Sequence, residues 1–287
     1  PEEFAYGEED LVLQAAGWGG PDSAPSRFDR VLLAGWNDRM ERGLFRYRLG
    51  PLPTRVLPGA LRLVAQLNEQ RSAERRPPQP NFTRLRPAEL LFRLRRTGGP
   101  GPPPEPLLVA INASPLERGH VLLLPEPARR LPQVLTAPAL RGALEAALLS
   151  AHPGFRVGFN GLGGGASVNH LHLHGLYLDR PLPLHLGAAG LACNVLATRG
   201  DPPAGPGTGA GRGLRVLLWA RRPLFGPKAG EPFAVALCEL AGLLPLPTEP
   251  LYRDITEAQA LSAIRQHLLP EPELLQLGGE LARLLEN

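Results

Sequence analysis

Three histidines alternate with leucines in the stretch His170-Leu171-His172-Leu173-His174. They are nearly half of the seven histidines in the 287-residue chain. Successive side chains of a β-strand project to opposite faces, so this spacing sets all three imidazoles on one side and turns the leucines toward a core. On a helix His172 would point away from its two neighbours, so the group can act together only on a strand. Directly upstream lies the glycine-rich stretch Asn160-Gly161-Leu162-Gly163-Gly164-Gly165-Ala166-Ser167. Glycine has no side chain to hold a ligand off, so backbone amides of such a loop can approach an anion closely. It is not a P-loop, because neither Gly-Lys-Ser/Thr nor a helix follows it.

Three readings of this arrangement compete. A histidine-rich structural strand would need no chemistry. A metal site would use imidazole ligands, but alpha-carbons four residues apart on a strand are about 13 Å apart, and no nearby His/Cys/Asp cluster completes a ligand set. Phosphoryl-type chemistry would use the central histidine as nucleophile, since a neutral imidazole attacks phosphorus and its phosphoramidate passes the group onward. In that reading the flanking histidines donate to phosphate oxygens and no metal or other cofactor is required.

The pattern His-x-His-x-His followed by apolar residues, together with Asn160, Ser167 and the upstream Asn112…Gly119-His120-Val121-Leu122-Leu123-Leu124-Pro125, resembles the histidine-triad superfamily. A longer set is more specific. Phe28-Asp29, Trp36-Asn37-Asp38-Arg39-Met40-Glu41-Arg42-Gly43-Leu44-Phe45-Arg46-Tyr47, Ala65-Gln66-Leu67-Asn68-Glu69, Asn81-Phe82-Thr83 and Glu89-Leu90-Leu91-Phe92 resemble the GDP-hexose phosphorylases. That family comprises plant GDP-L-galactose and animal GDP-D-glucose phosphorylases, and the animal branch is the nearer.

The resemblance implies phosphorolysis of GDP-D-glucose by inorganic phosphate to GDP and glucose 1-phosphate, through a guanylylated His172. His170 and His174 would bind phosphate oxygens or fix the nucleophile's tautomer. Asn160, Ser167 and the amides of Gly163, Gly164 and Gly165 would hold the phosphates, with Asn112 near the ribose. The third position carries His174, as in hydrolytic histidine-triad enzymes, where transferases and plant phosphorylases tend to carry glutamine. A nucleotide hydrolase shares the same strand, and a guanine-nucleotide-binding regulator without turnover would share the same pocket. Cys238-Glu239-Leu240-Ala241-Gly242-Leu243-Leu244 stands where relatives keep a Gly-His pair, so the C-terminal part resembles a second, degenerate unit.

Composition sets the frame. Hydrophobic residues at 43% and charged residues at 20% describe an ordinary globular chain. The net charge is +4, and with Lys228 the only lysine nearly all positive charge is guanidinium, which suits bidentate phosphate contacts. No basic run is interleaved with aromatics, so no nucleic-acid polymer is expected as partner. No stretch reaches the ~20 apolar residues of a membrane helix. Two cysteines, Cys193 and Cys238, exclude a disulfide scaffold and a four-cysteine zinc site, and point to a reducing, cytoplasmic setting. Starting at Pro1 rather than methionine, the chain leaves room for a removed leader.

These residues need strands and covering helices to position them. Residues 1–25 read as a loose surface segment. Ser26 or Asp29 caps a helix through Val31, Trp36 and Met40 that ends near Gly43. Phe45 to Leu49 alternates as a strand, Arg55 to Asn68 suits another, and Arg71 to Pro78 reads as a solvated polar loop. Glu89 to Arg95 is a strand, and Leu107–Asn112 and His120–Pro125 are adjacent central strands. Thr136 caps a covering helix with Pro138 in its first turn, and Phe155 to Phe159 is a further strand. Leu214–Trp219 and Phe233–Leu237 read as strands, Thr256 opens a helix that Pro270 stops, and a helix spans Leu274–Leu285. The expected class is α+β, mostly antiparallel, as two fused unequal halves: 26–198 catalytic, 199–213 a Gly/Pro-rich linker, and 214–287 the degenerate second half.

Overall fold

A computed structural model of the chain describes residues 2–13, 24–74, 85–98, 105–178, 192–199, 213–222 and 231–285. In chain order its elements are β1 (Glu2–Tyr6), α1 (Arg27–Glu41), β2 (Thr54–Val56), β3 (Val64–Leu67) and α2 (Glu69–Glu74). There follow β4 (Leu90–Arg96), β5 (Leu107–Ile111), β6 (Val121–Leu124), α3 (Ala137–Leu149), β7 (Phe155–Asn160) and β8 (Leu173–Tyr177). The chain continues with β9 (Ala192–Arg199), β10 (Leu214–Arg221), α4 (Leu237–Ala241), β11 (Leu243–Leu246), α5 (Glu249–Asp254), α6 (Glu257–Arg265) and α7 (Glu271–Leu285). The class is α+β.

Eight strands form one sheet in the order β1-β4-β5-β6-β8-β7-β9-β10, antiparallel except for the parallel β1–β4 pair. A second sheet orders β11-β3-β2. Alternation along β8 sends Leu173 and Tyr177 to one face and Leu176 to the other. The first face packs under α1 and α3 through Phe28, Leu32, Trp36, Ala143 and Ala146. The opposite face carries Leu196 and Trp219 against Leu237, Leu240, Leu244 and Ile264 from the C-terminal elements. The alanine-rich face of α3 lets that helix lie close on the strands.

Local signals in the sequence place several elements. Ser26 and Asp29 form a reciprocal capping box at the start of α1, and Gly43 follows its end at φ +67°. Thr136 caps α3 with Pro138 in the first turn, and Thr256 and Gln259 box the start of α6.

Several expectations are corrected. Glu2–Tyr6 is not loose: it is an edge strand paired with β4, and Phe4 and Tyr6 are buried among Phe28 and Phe92. Phe45 to Leu49 alternates but forms no strand; Arg46 N–H donates to the Ala113 carbonyl, yet no ladder follows. The stretch from Arg55 to Asn68 is a hairpin, turned at Arg62 with φ +54° and closed by Leu57 N–H on the Leu63 carbonyl. Phe233 to Leu237 is not a strand either, because Glu239 accepts from the Ala236 N–H and starts α4 at Leu237. Arg71, expected in a solvated loop, lies in α2, whose first turn is capped by the Asn68 carboxamide oxygen on the Arg71 N–H.

The helix expected to be stopped by Pro270 already ends at Arg265, and α7 begins just past that proline. Of the expected linker, 200–212 lies outside the described residues. The strands at its two ends, β9 and β10, pair with each other along their length, and β11 pairs with β3, so both sheets draw strands from both sides of 199–213. No described helix is long and apolar enough to cross a membrane.

Candidate functional site

A cavity of about 1060 Å³ opens on the face of β8 that turns away from α1 and α3. His170, His172, His174 and Leu176 all line it, while Leu171 and Leu173 are buried in the opposite core. The alternation read from the sequence therefore holds, but the strand itself does not start until Leu173. His170 and His172 precede it and need other partners for their backbones. Gln133 supplies them for His172. Its carboxamide oxygen accepts from the His172 N–H at 2.9 Å, and its Nε2 donates to the His172 carbonyl at 3.0 Å and to the Asn160 carbonyl at 2.9 Å. One buried side-chain amide thus does for His172 what a neighbouring strand would do.

The protonation state of His172 follows from its contacts. Its Nδ1 lies 2.7 Å from the carbonyl oxygen of His170, which can only accept, so Nδ1 carries the proton and Nε2 keeps its lone pair. Burial pushes the imidazole pKa below its usual value, opposed by that backbone hydrogen bond. The ring is therefore neutral at pH 7 with a nucleophilic nitrogen. The backbone carbonyl of His170, rather than a flanking imidazole, fixes the tautomer. His170's own pKa is lowered by burial against a hydrogen bond to the Pro127 backbone, with the nearby Arg130 charge also lowering it.

His174 is oriented from the other side. The buried His120 accepts the Leu116 N–H at Nδ1 (3.0 Å), so its proton sits on Nε2 and points at His174 Nδ1, 3.1 Å away. His174 consequently carries its own proton on Nε2. Desolvation, with the charges of Arg71 and His172 adding to it, drives His120 down to about 3, so this ring stays neutral. The His172 and His174 ring centroids are 5.2 Å apart, in edge contact.

The other expected residues divide. Asn112 lines the cavity; its Oδ1 accepts the Ser114 N–H and its Nδ2 lies 3.2 Å from His120 Nε2. Asn160 also lines it, but its Oδ1 already accepts from Asn194 Nδ2 (2.5 Å) and the Leu237 N–H (3.0 Å), which leaves its amide nitrogen to offer a ligand. Ser167 and Gly165 face the cavity, the latter at φ +94° with Ala236 so close that a β-carbon would meet it at 2.9 Å. Gly163 and Gly164 do not line it, and the Gly164 N–H donates to the Gly161 carbonyl at 2.8 Å. The glycine loop is thus a self-bonded turn in which only 165–167 face the cavity.

Several residues were not legible as part of the site. His120 read as an ordinary strand residue, although its place at the start of an apolar strand was visible. Gln133 carried no signal, because its partners are distant in sequence. Arg71 and Arg46 line the cavity, Arg71 donating to the Ser114 carbonyl. Asn68, followed by a short polar run, was the available sign of a capped helix that would present Arg71. On the far wall stand Arg221, Glu231 and His267. Among the described residues no group of three or more His, Cys, Asp or Glu side chains is arranged to hold a metal ion.

The chain is similar to several known proteins. A family model described as GDPGP1-like, N-terminal domain, matches residues 27–176. GDP-D-glucose phosphorylase 1 of Homo sapiens is 44% identical over 99% of this chain and 92% of its own length. The protein of that name from Danio rerio is 40% identical over 98% of each. GDP-L-galactose phosphorylase 1 of Arabidopsis thaliana is 38% identical over 54% of this chain and 41% of its own. Among solved structures, yeast Ap4A phosphorylase Apa2 in complex with AMP superposes with a TM-score of 0.58 over 85% of this chain and 96% of its own, at 13% identity. That similarity is one of fold.

Proposed function

The chain belongs to the GDPGP1-like family, and from that membership we propose that it is a nucleotidyltransferase that phosphorolyses GDP-D-glucose to GDP and glucose 1-phosphate. The observation that carries the mechanism is the neutral His172 with its lone pair on Nε2 at the cavity wall. Nε2 attacks the α-phosphorus, the bond from that phosphorus to the bridging oxygen breaks, and glucose 1-phosphate departs with the bridging oxygen. An oxygen of inorganic phosphate then attacks the guanylylated His172, the P–N bond breaks, and GDP leaves.

The leaving group is already a stable anion, so orientation and charge stabilisation dominate over acid catalysis. His174 Nε2–H, the Asn160 amide and Ser167 are the donors for the phosphate oxygens, with Asn112 beside the ribose. Arg46, Arg71, Arg86 and Arg221 around the cavity favour an anionic substrate. Residues 214–287 act as a degenerate second half, which supplies wall through Leu237, Cys238 and Glu239 but no nucleophile. The setting is the cytoplasm, and the route uses no metal.

The test is incubation with GDP-glucose, with and without inorganic phosphate, for the wild type and His172→Ala. Phosphate-dependent release of GDP is expected, with loss of turnover and of the trapped guanylyl adduct in the variant. GMP and glucose 1-phosphate formed equally fast without phosphate would establish the hydrolase reading, which His174 in the third position favours. Activity retained in His172→Ala would overturn the covalent route.

A further inference from the structure

The strand order places different chemistry on the two sides of β8. Toward β6 and β5 stand His120 and Asn112; toward β7, β9 and β10 stand Asn160, Asn194 and Arg221. Apart from the charge of Arg221, the phosphorolysis uses nothing on the outer wall of this second side, yet that wall holds a buried polar chain.

Arg221 is 1% exposed. Its Nη1 donates to the carbonyls of Gly164 (3.3 Å) and Val235 (2.7 Å) and to Asn194 Oδ1 (3.1 Å), which fixes the guanidinium in place. Its Nη2 lies 2.7 Å from His267 Nδ1. A guanidinium can only donate, so His267 Nδ1 accepts and the imidazole proton sits on Nε2. That nitrogen is 3.1 Å from Glu231 Oε1. His267 is itself buried, held past the end of α6 by the Arg222 N–H on its carbonyl. The result is an oriented row, Arg221 to His267 to Glu231, that ends in a carboxylate at the cavity wall.

Burying such a row is costly unless it serves something, because the arginine and the carboxylate give up hydration. Arg221 itself holds the Gly164 and Val235 carbonyls. His267 accepts from its Nη2 and the Glu231 charge favours the guanidinium, while the Glu231 carboxylate also lines the cavity. A fixed carboxylate beside an imidazole N–H is what a hexose requires, since sugar hydroxyls are donors and acceptors whose positions alone distinguish epimers.

We propose that Glu231, oriented by His267 and Arg221, is the group that recognises hydroxyls of the hexose. This rests on the reading of the cavity as a GDP-hexose site with Asn112 beside the ribose, which puts guanosine toward β5 and β6 and leaves the β10 side for the sugar. Glu231 is a specificity residue; His267 and Arg221 are positioning residues.

The test compares Glu231→Ala and Glu231→Gln with the wild type, using GDP-glucose and GDP-mannose as substrates and GMP, which lacks the hexose, as competitive inhibitor. In Glu231→Ala, kcat/KM for GDP-glucose falls ten-fold or more, its ratio to that for GDP-mannose changes, and the inhibition constant of GMP stays within about two-fold. Glu231→Gln keeps an acceptor for His267 and removes the charge, so it gives the same split at smaller amplitude and guards against misfolding of the alanine variant. An unchanged ratio with normal turnover would overturn the hexose assignment. GMP inhibition weakened in parallel would also overturn it, because Glu231 would then read guanine or merely support the fold. Absence of GDP-hexose turnover in the wild type would instead overturn the functional reading on which this inference stands.

Discussion

The side chain of Gln133 brackets the backbone of His172, accepting from its N–H and donating to its carbonyl while also donating to Asn160. The nucleophile is thereby pinned one residue before its strand begins. Gln133→Ala leaves three buried backbone groups without these partners, at roughly 1–3 kcal/mol for each group that finds no substitute. We expect kcat to fall by about 10–100-fold with little change in KM, since small misplacements of a reacting group are costly. Gln133→Glu has the same shape but faces two carbonyls with a carboxylate, so it should be at least as damaging. Steady-state kinetics and thermal melts of both variants check this; a Gln133→Glu variant with normal kcat would reduce the residue to a filler.

The pH dependence of turnover follows from His172. Burial holds its pKa below 6.5, and only the neutral ring attacks phosphorus, so the acid limb of kcat/KM should have its midpoint below 6.5. A midpoint at or above that value, measured from rate profiles with GDP-glucose, would mean that another group controls the step.

Stability should respond to His120. Its folded pKa, about 3, lies below the unfolded value near 6.5, so the unfolded chain binds the extra proton first. The contribution is complete above about 6.5 and is lost as pH falls from there toward 3. His120→Gln should therefore show a shallower loss of stability than the wild type over that window, as followed by denaturant melts at each pH.

Glutamine can replace His174 on geometric grounds. Its carbonyl can accept the His120 Nε2–H, and its amide can donate where His174 Nε2 does. His174→Gln should keep at least about a tenth of the phosphate-dependent rate, whereas His174→Ala, which removes both functions, should lose roughly 100-fold. Equal losses in the two variants would contradict the donor role.

At the edge of the sheet, Phe4→Ala should cost about 3–5 kcal/mol, the usual penalty for emptying a buried phenylalanine site. Phe4 is 3% exposed and packs on Phe28 and Phe92, with the Arg27 guanidinium 4.3 Å from its ring centroid. Urea unfolding measures the loss, and kcat per folded molecule should not change.

Local patterns announced what local physics decides. Ser26, Thr136 and Thr256 each declared a helix start, the apolar runs declared β5, β6 and β7, and the His-Leu alternation declared which side chains share a face. What stayed hidden depends on partners far along the chain. Phe45 to Leu49 has a strand's alternation but no ladder to join, whereas Glu2–Tyr6 has a ladder waiting in β4 that its own residues do not advertise. In the site, His172 could be singled out from spacing, but Gln133, His120 and the Arg221 to Glu231 row could not. Gln133 reaches Asn160 across 27 residues, His120 reaches His174 across 54 and Arg221 reaches His267 across 46, each through a single side chain, which leaves no periodicity to read.

The sheet order gives β8 a role apart from carrying His174 and following the nucleophile. It is the joint between β6 and β7, and those two strands are not paired with each other. Lifting β8 out would split the sheet into β1-β4-β5-β6 and β7-β9-β10, each with a newly bared edge. Loss of the reactive strand and loss of the folded molecule are then one event. The amides of Leu173 to Tyr177 should exchange with solvent only through openings as rare as global unfolding, so this enzyme has no cheap way to idle as a folded but disassembled catalyst.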